Sequence, residues 1–268
     1  MIESALLLKL ASYLLLGVAS GLIGGMLGLG GGIVIVPALL LIFIKSGILP
    51  GGNQMHLVVG TSLACIIFTA ISASYAHHRR GAVLWPVVKS LIPGIIIGGL
   101  VASVIAEQLH SNVLRTIFGL FEILVAIQIA IGFKPAAHHA LPQTPGMVTT
   151  GGVIGFVSAL LGIGGGTLTV PFLVWCNVNI RNAVATSSAC GLPIAISGVI
   201  GFIATGWGQP GLPAGSTGFV YWPAVAMIAI ASVSTAPIGA KLAHTIPVTT
   251  LKKIFAVVLA AIGTRMLF

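Results

Sequence analysis

The sequence contains no aspartate. Its acids are Glu3, Glu107 and Glu122, set against twelve lysines and arginines. Charged residues of both signs make up 6% of the chain, where an ordinary soluble domain carries about a quarter. A soluble fold needs a polar face, and this chain has too few charges to build one. What it has instead is apolar: 57% of the 268 residues are hydrophobic, and the mean hydropathy is +1.15. A bilayer is the solvent that fits. One span takes roughly 20 apolar residues, so the length holds about ten spans with short loops. The expectation is an all-α integral membrane protein, one transmembrane domain over 1–268, with no appended enzyme.

Other absences narrow the function. Three cysteines, Cys65, Cys176 and Cys190, lie in apolar segments without CxxC spacing. They make neither a disulfide framework nor a zinc site. There is no HExxH, GxSxG or Walker motif, and the glycines at 28–32 have no βαβ context to make them a dinucleotide fingerprint. The histidines fall at loops or segment edges, so no intramembrane Ser–His pair is expected. With no Asp, a metal transporter is disfavoured too. Neither a metal nor a cofactor is expected, and the chain does not read as an enzyme. The basic balance does not indicate nucleic acid, because the cations sit singly or in pairs at the ends of apolar segments, as in membrane proteins. They bias the mouths toward anions. The start, Met-Ile-Glu, has no basic n-region before its apolar stretch and reads as a retained first span.

The chain repeats itself. Residues 21–37, GLIGGMLGLGGGIVIVP, align with 155–171, GFVSALLGIGGGTLTVP. Val59-Gly-Thr-Ser-Leu-Ala-Cys65 aligns with Val184-Ala-Thr-Ser-Ser-Ala-Cys190, Trp85-Pro86 with Trp222-Pro223, and Ile117-Phe118 with Ile254-Phe255. The order is kept and the offset changes only in loops. This gives repeat one over 1–134, a Pro- and His-containing linker over 135–145, and repeat two over 146–268.

Each half divides into five apolar segments, about 5–27, 33–45, 57–76, 82–106 and 113–133, then 147–161, 167–177, 183–206, 218–243 and 249–267. The second of each five is too short to span and follows a Gly-rich stretch that is costly as regular helix. A helix, a break and a half-helix are therefore expected. Five is odd, so the second half should enter the membrane inverted. With both termini outside, the inner ends hold Arg79, Arg80, Lys89, Lys134, Arg181, Lys241, Lys252 and Lys253, and the outer ends hold Lys9, Lys45, Arg115 and Arg265. That bias agrees with positive-inside placement. Four spans per half with parallel topology is the alternative.

Inverted repeats with broken helices are a transporter architecture, with substrate at mid-membrane where the breaks meet. Non-helical backbone survives there only when buried or lining a cavity. The half-helices that follow the breaks begin at Ile33 and Thr167 with unpaired N–H groups and the positive dipole end. Two such ends facing each other would cradle an anion without a charged side chain. Gly30, Gly31, Gly32, Ile33, Gly164, Gly165, Gly166 and Thr167 are the candidate contacts; tight helix packing is the competing reading. Thr61, Ser62, Thr186, Ser187 and Ser188 could add hydroxyl donors, or instead bond back to their own helices. His56 and Arg181, matched at the start of the third segments, are candidates for an entrance that attracts anions, or ordinary interfacial charges. Glu122 lies inside a span and is the candidate for proton coupling, unless it pairs structurally with Arg115 or Lys89.

At these residues the chain resembles the sulfite exporter TauE/SafE family, also called the 4-toluene sulfonate uptake permease group. The doubled G-x-G-G-G-x-x-x-V-P blocks at 28–37 and 162–171, the T-S-x-A blocks at 61–64 and 186–189 and the Trp-Pro pairs carry the resemblance, which covers nearly the whole chain. It implies a transporter of sulfite or an organosulfonate in a bacterial or archaeal inner membrane. A membrane potential negative inside drives an anion outward by about 2.3 kcal/mol per charge per 100 mV, so export is the expected direction. The expected partners are that anion and the lipid bilayer, with a second copy of the chain as a candidate. An anion channel of the same fold and a non-transporting membrane structural protein are the rival readings.

Overall fold

The computed structural model describes residues 2–28, 30–48, 52–131, 140–243 and 248–267, with the side chains of 2–7, 129, 248–255, 258 and 262 left outside the description. Lys134 and residues 135–139 of the linker, together with the side chains of Lys252 and Lys253, therefore lie outside it. Ten helices make up the described chain: α1 (Ile2–Leu27), α2 (Gly32–Lys45), α3 (Gln54–His78), α4 (Trp85–Gln108), α5 (Ser111–Ile131), α6 (Thr144–Leu161), α7 (Gly166–Trp175), α8 (Ile180–Thr205), α9 (Trp222–Leu242) and α10 (Val248–Leu267). Seven are long and apolar enough to cross a bilayer: α1, α3, α4, α5, α6, α8 and α9. Their outer faces carry large exposed apolar side chains such as Leu15, Ile97, Leu124, Ile200 and Ile230, which suits lipid rather than water.

At 14 and 10 residues, α2 and α7 reach only about 21 and 15 Å at 1.5 Å per residue. Neither is long enough to cross a hydrocarbon core of about 30 Å. The N-terminal end of α2 lies beside α1: a Cβ on Gly24 would stand 2.8 Å from the Gly31 nitrogen, and one on Gly31 would stand 2.6 Å from the Ser20 carbonyl oxygen. At the other end of α2, Phe43 packs edge-on against Tyr221 at 5.7 Å, and the Lys9 ammonium sits 5.8 Å over that same ring. The chain thus descends in α1, breaks inside the bundle and returns along it in α2. Glycine at the turn allows the doubling back.

Close contacts fix the helix directions. Gly17, Gly21 and Gly25 of α1 meet Ile228, Ser232 and Ala236 of α9 in the same order, so these helices run parallel. Gly94 and Gly98 of α4 meet Val148 and Gly152 of α6, also in parallel. In α3 and α8 the order reverses, with Leu63 against Gly198 and Ala70 beside Gly191. The α5–α10 pair is antiparallel too: Arg115 donates to the Arg265 carbonyl at 3.2 Å, and Gly119 faces Gly263. Small residues let these backbones touch where lipid supplies no hydrophobic drive for association. Followed through the fold, the cations Lys9, Lys45, Arg115 and Arg265 gather at one end of the bundle, and Arg79, Arg80, Lys89, Arg181 and Lys241 at the other.

Two expected segments start late, and the one placed from 82 begins at Trp85. The helix placed from 218 begins at Trp222, and residues before it form a short antiparallel ribbon of β1 (Ser216–Thr217) and β2 (Val220–Tyr221), pairing Ser216 with Tyr221. Pro223 suits a first helical turn because it has no N–H to satisfy. Phe219 and Val220 turn inward and are buried, so the apolar run at 218–221 is a plug for the bundle end.

Candidate functional site

Helix α6 stops at Gly162, which is left-handed at φ +70. Its N–H reaches the Ala159 carbonyl at 3.2 Å and the Ile163 N–H reaches Ser158 at 2.9 Å, a Schellman end. Gly165, at φ +77, then caps the start of α7. The first half repeats the device. Gly28 (φ +70) bonds to the Gly24 carbonyl at 3.0 Å, and Gly31 (φ +82) caps α2. A residue with a Cβ loses about 1–2 kcal/mol in this conformation, which is why glycine recurs at these positions.

The two breaks meet. A Cβ on Gly30 would stand 3.0 Å from the Cα of Gly164, and one on Gly32 would collide with the Gly162 carbonyl and Ile163. So Gly30 to Gly32 and Gly164 to Gly166 come together in the centre of the bundle, while Leu29 lies outside the described residues. Ile33 and Gly166 are buried, and Thr167 is half-buried. Among the described residues, the N–H groups of Gly164, Gly165, Gly166 and Thr167 meet no hydrogen-bond acceptor. They are the orphan donors of a helix start, held away from water.

The Thr-Ser pairs tie the breaks across the halves. Ser62 of α3 donates to the Gly162 carbonyl at 2.8 Å, and Ser187 of α8 donates to the Gly28 carbonyl at 2.9 Å. Thr61 accepts from the Tyr221 N–H at 3.0 Å, and Thr186 from the Leu84 N–H at 3.1 Å. Tyr221 and Leu84 each precede a Trp-Pro pair. Ser188 bonds back to the Val184 carbonyl of its own helix at 3.1 Å. In this arrangement the Ser62, Ser187 and Ser188 protons are engaged with backbone carbonyls.

His56 and Arg181 are placed differently despite their matched positions. His56 is buried, its Nε2 bonded to the Ala106 carbonyl at 2.8 Å and its ring against Phe219 at 5.1 Å. Arg181 is exposed at the opposite end, in the first turn of α8. Glu122 is fully buried on α5 facing α10, where Gly263 packs against its Cβ. Both of its carboxyl oxygens lack a hydrogen-bond partner. Arg115 turns instead to Arg265, so no ion pair forms there.

Two residues escaped the sequence reading. Ser158 and Thr169 are fully buried, their hydroxyls have no partner, and both lie 3.5 Å from where a Cβ on Gly165 would be. The signal for them was in the repeat alignment, where they stand opposite Gly24 and Ile35.

These elements define a polytopic helical membrane protein with two broken helices meeting at its centre. The family profile described as "Sulfite exporter TauE/SafE" matches residues 13–266. A relative named "Probable membrane transporter protein" in Haemophilus influenzae is 35% identical over 254 residues, covering 94% of this chain and 96% of its own. Similar proteins so named occur in Methanocaldococcus jannaschii, 28% identical with 99% of this chain and 98% of the relative covered, and in Bacillus subtilis, 27% identical with 92% and 96% covered. No solved structure matches the chain. The chain belongs to the sulfite exporter TauE/SafE family and is a multi-pass membrane transporter.

Proposed function

We propose that the protein is a secondary transporter that exports a small sulfur-containing anion, such as sulfite or an organosulfonate, from a bacterial or archaeal cell across its cytoplasmic membrane. The anion binds where the two breaks meet. One observation carries this reading: two helix starts converge in the bundle centre, and among the described residues the N–H groups of Gly30 to Ile33 and of Gly164 to Thr167 meet no hydrogen-bond acceptor. A helix N-terminus is a ready anion site, and half-helix ends of this kind serve anionic groups in other transporters. The nature of the anion rests on the family.

The halves act as an inverted repeat, 1–134 and 146–268, joined by the linker at 135–145. Exchanging the halves maps α1 against α9 onto α6 against α4. It maps α3 onto α8 and α5 onto α10, and both of those pairs run antiparallel. A two-fold axis in the membrane plane has this consequence; an axis along the normal would make them parallel. Placing the end with Arg79, Arg80, Lys89, Arg181 and Lys241 in the cytoplasm satisfies the positive-inside bias. Glu122, buried without a partner, is the route for a coupled proton.

The test is sulfite transport by Gly31→Ala and Gly165→Ala proteins in liposomes. Both are expected to raise the KM for sulfite. Folded variants with the wild-type KM would remove the cradle.

A further inference from the structure

The two breaks share left-handed glycines at matched positions, Gly28 and Gly31 with Gly162 and Gly165, and differ in chemistry. Beside the first, the aligned positions are Gly24, Ile33 and Ile35, and beside the second they are Ser158, Thr167 and Thr169. Gly24 leaves no room, since a Cβ there would stand 2.8 Å from the Gly31 nitrogen. Its counterpart Ser158 has a side chain in the equivalent place. The nearest group to a Cβ on Gly31 is the Ser20 backbone, whereas Gly165 faces the tip of Ile194 and the two hydroxyls of Ser158 and Thr169. The Ser20 hydroxyl is committed to the Gly17 carbonyl at 3.1 Å. The hydroxyls of Ser158, Thr167 and Thr169 are buried and have no partner. Those of Ser158 and Thr169 lie beside Gly165, and two unsatisfied hydroxyls next to orphan N–H groups are costly without a ligand.

We propose that the anion is held one-sidedly, at the N-terminus of α7, by the hydroxyls of Ser158 and Thr169 with the N–H groups of Gly165 to Thr167, and that the first break contributes its dipole and closes the site without hydroxyl contacts. This rests on the anion-transport reading above and assigns its contacts. The ligand class follows from charge. Residues 28–36 and 158–170 contain no Lys, Arg or His. Each helix start supplies about half a positive charge, so two balance one negative charge. A singly charged oxyanion fits, and the second charge of a dianion would be left uncompensated in a buried place. Hydroxyls also accept hydrogen bonds, so a protonated oxyanion such as hydrogensulfite satisfies donors and acceptors together.

The test measures sulfite flux in proteoliposomes, with methanesulfonate and sulfate as competitors. Ser158→Ala and Thr169→Val are each expected to raise the KM for sulfite about tenfold or more, the loss expected for one hydrogen bond to a charged group. Thr169→Ser should restore it, and Ser20→Ala in the first half should leave it unchanged. Methanesulfonate should compete and sulfate should compete only weakly. Thermal melts in detergent establish that each variant is folded. Saturable wild-type flux with an unchanged KM in folded Ser158→Ala and Thr169→Val would overturn the hydroxyl site while leaving anion transport standing. Sulfate competing as well as methanesulfonate would overturn the charge argument. An absence of saturable wild-type flux would remove both this inference and the reading beneath it.

Discussion

The hydroxyl of Ser62 donates to the carbonyl oxygen of Gly162 at 2.8 Å, across 100 residues of chain. Ser187 makes the mirror bond to Gly28 at 2.9 Å. Each break therefore has its last helical carbonyl region held by a helix from the other half. Removing either hydroxyl leaves a buried carbonyl without its donor, at a cost of about 1–3 kcal/mol. Ser62→Ala and Ser187→Ala should each lower the thermal midpoint in detergent. Ser188→Ala, which loses only a bond to its own helix, should change it little. Equal midpoints for all three would mean that the cross-ties do not hold the breaks.

Gly31 and Gly165 are both left-handed, but their surroundings differ. A Cβ on Gly31 meets the rigid Ser20 backbone at 2.6 Å, while on Gly165 it meets the movable end of Ile194. Both alanine variants incur the left-handed penalty of about 1–2 kcal/mol, and Gly31→Ala should lose more. Gly47, left-handed with open space around it, isolates the conformational cost. The order of midpoints should be Gly47→Ala highest, then Gly165→Ala, then Gly31→Ala.

The α4–α6 contact gives a sharp contrast within one interface. A Cβ on Gly94 collides with the Val148 carbonyl, whereas on Gly152 its nearest neighbour is Gly94 oxygen at 3.8 Å. Gly94→Ala should separate the helices and cost about 1–3 kcal/mol as overpacking does. Gly152→Ala should be neutral or gain up to about 1 kcal/mol from helix propensity. Folded yield after purification and thermal melting distinguish them.

Glu122 carries two unpartnered oxygens in a buried place. Glu122→Gln keeps the shape and removes the titratable proton, so the protein should fold with unchanged or higher stability. If the proton passes through this carboxyl, sulfite flux in the variant no longer responds to an imposed pH gradient while flux driven by membrane potential persists. A full pH response in Glu122→Gln would remove the residue from coupling.

The sequence showed helix number, and each boundary to within four residues, because apolar runs of span length are a local signal. The short α2 and α7 were legible from length and from the glycines before them. The ribbon at 216–221 was not, because Phe219 and Val220 look like the start of a span until the plug they form is seen. At the site, the glycines were visible by repetition. Ser158 and Thr169 were missed because they break the repetition, and attention to matched positions passes over what differs. His56 and Arg181 differ in another way, since their matched positions place one residue in the core and the other in solvent. The role of Ser62 and Ser187 depends on a contact between halves that no local pattern encodes.

The central claim is that the converging breaks bind an anion that the protein carries. Sulfite flux by the purified protein in proteoliposomes, over a range of concentrations and with membrane potential and pH gradient set independently, tests it most directly. The account predicts saturable flux, driven outward by an inside-negative potential and inhibited by methanesulfonate. Flux that rises linearly without saturation, or none above protein-free liposomes under any gradient with either anion, would contradict it.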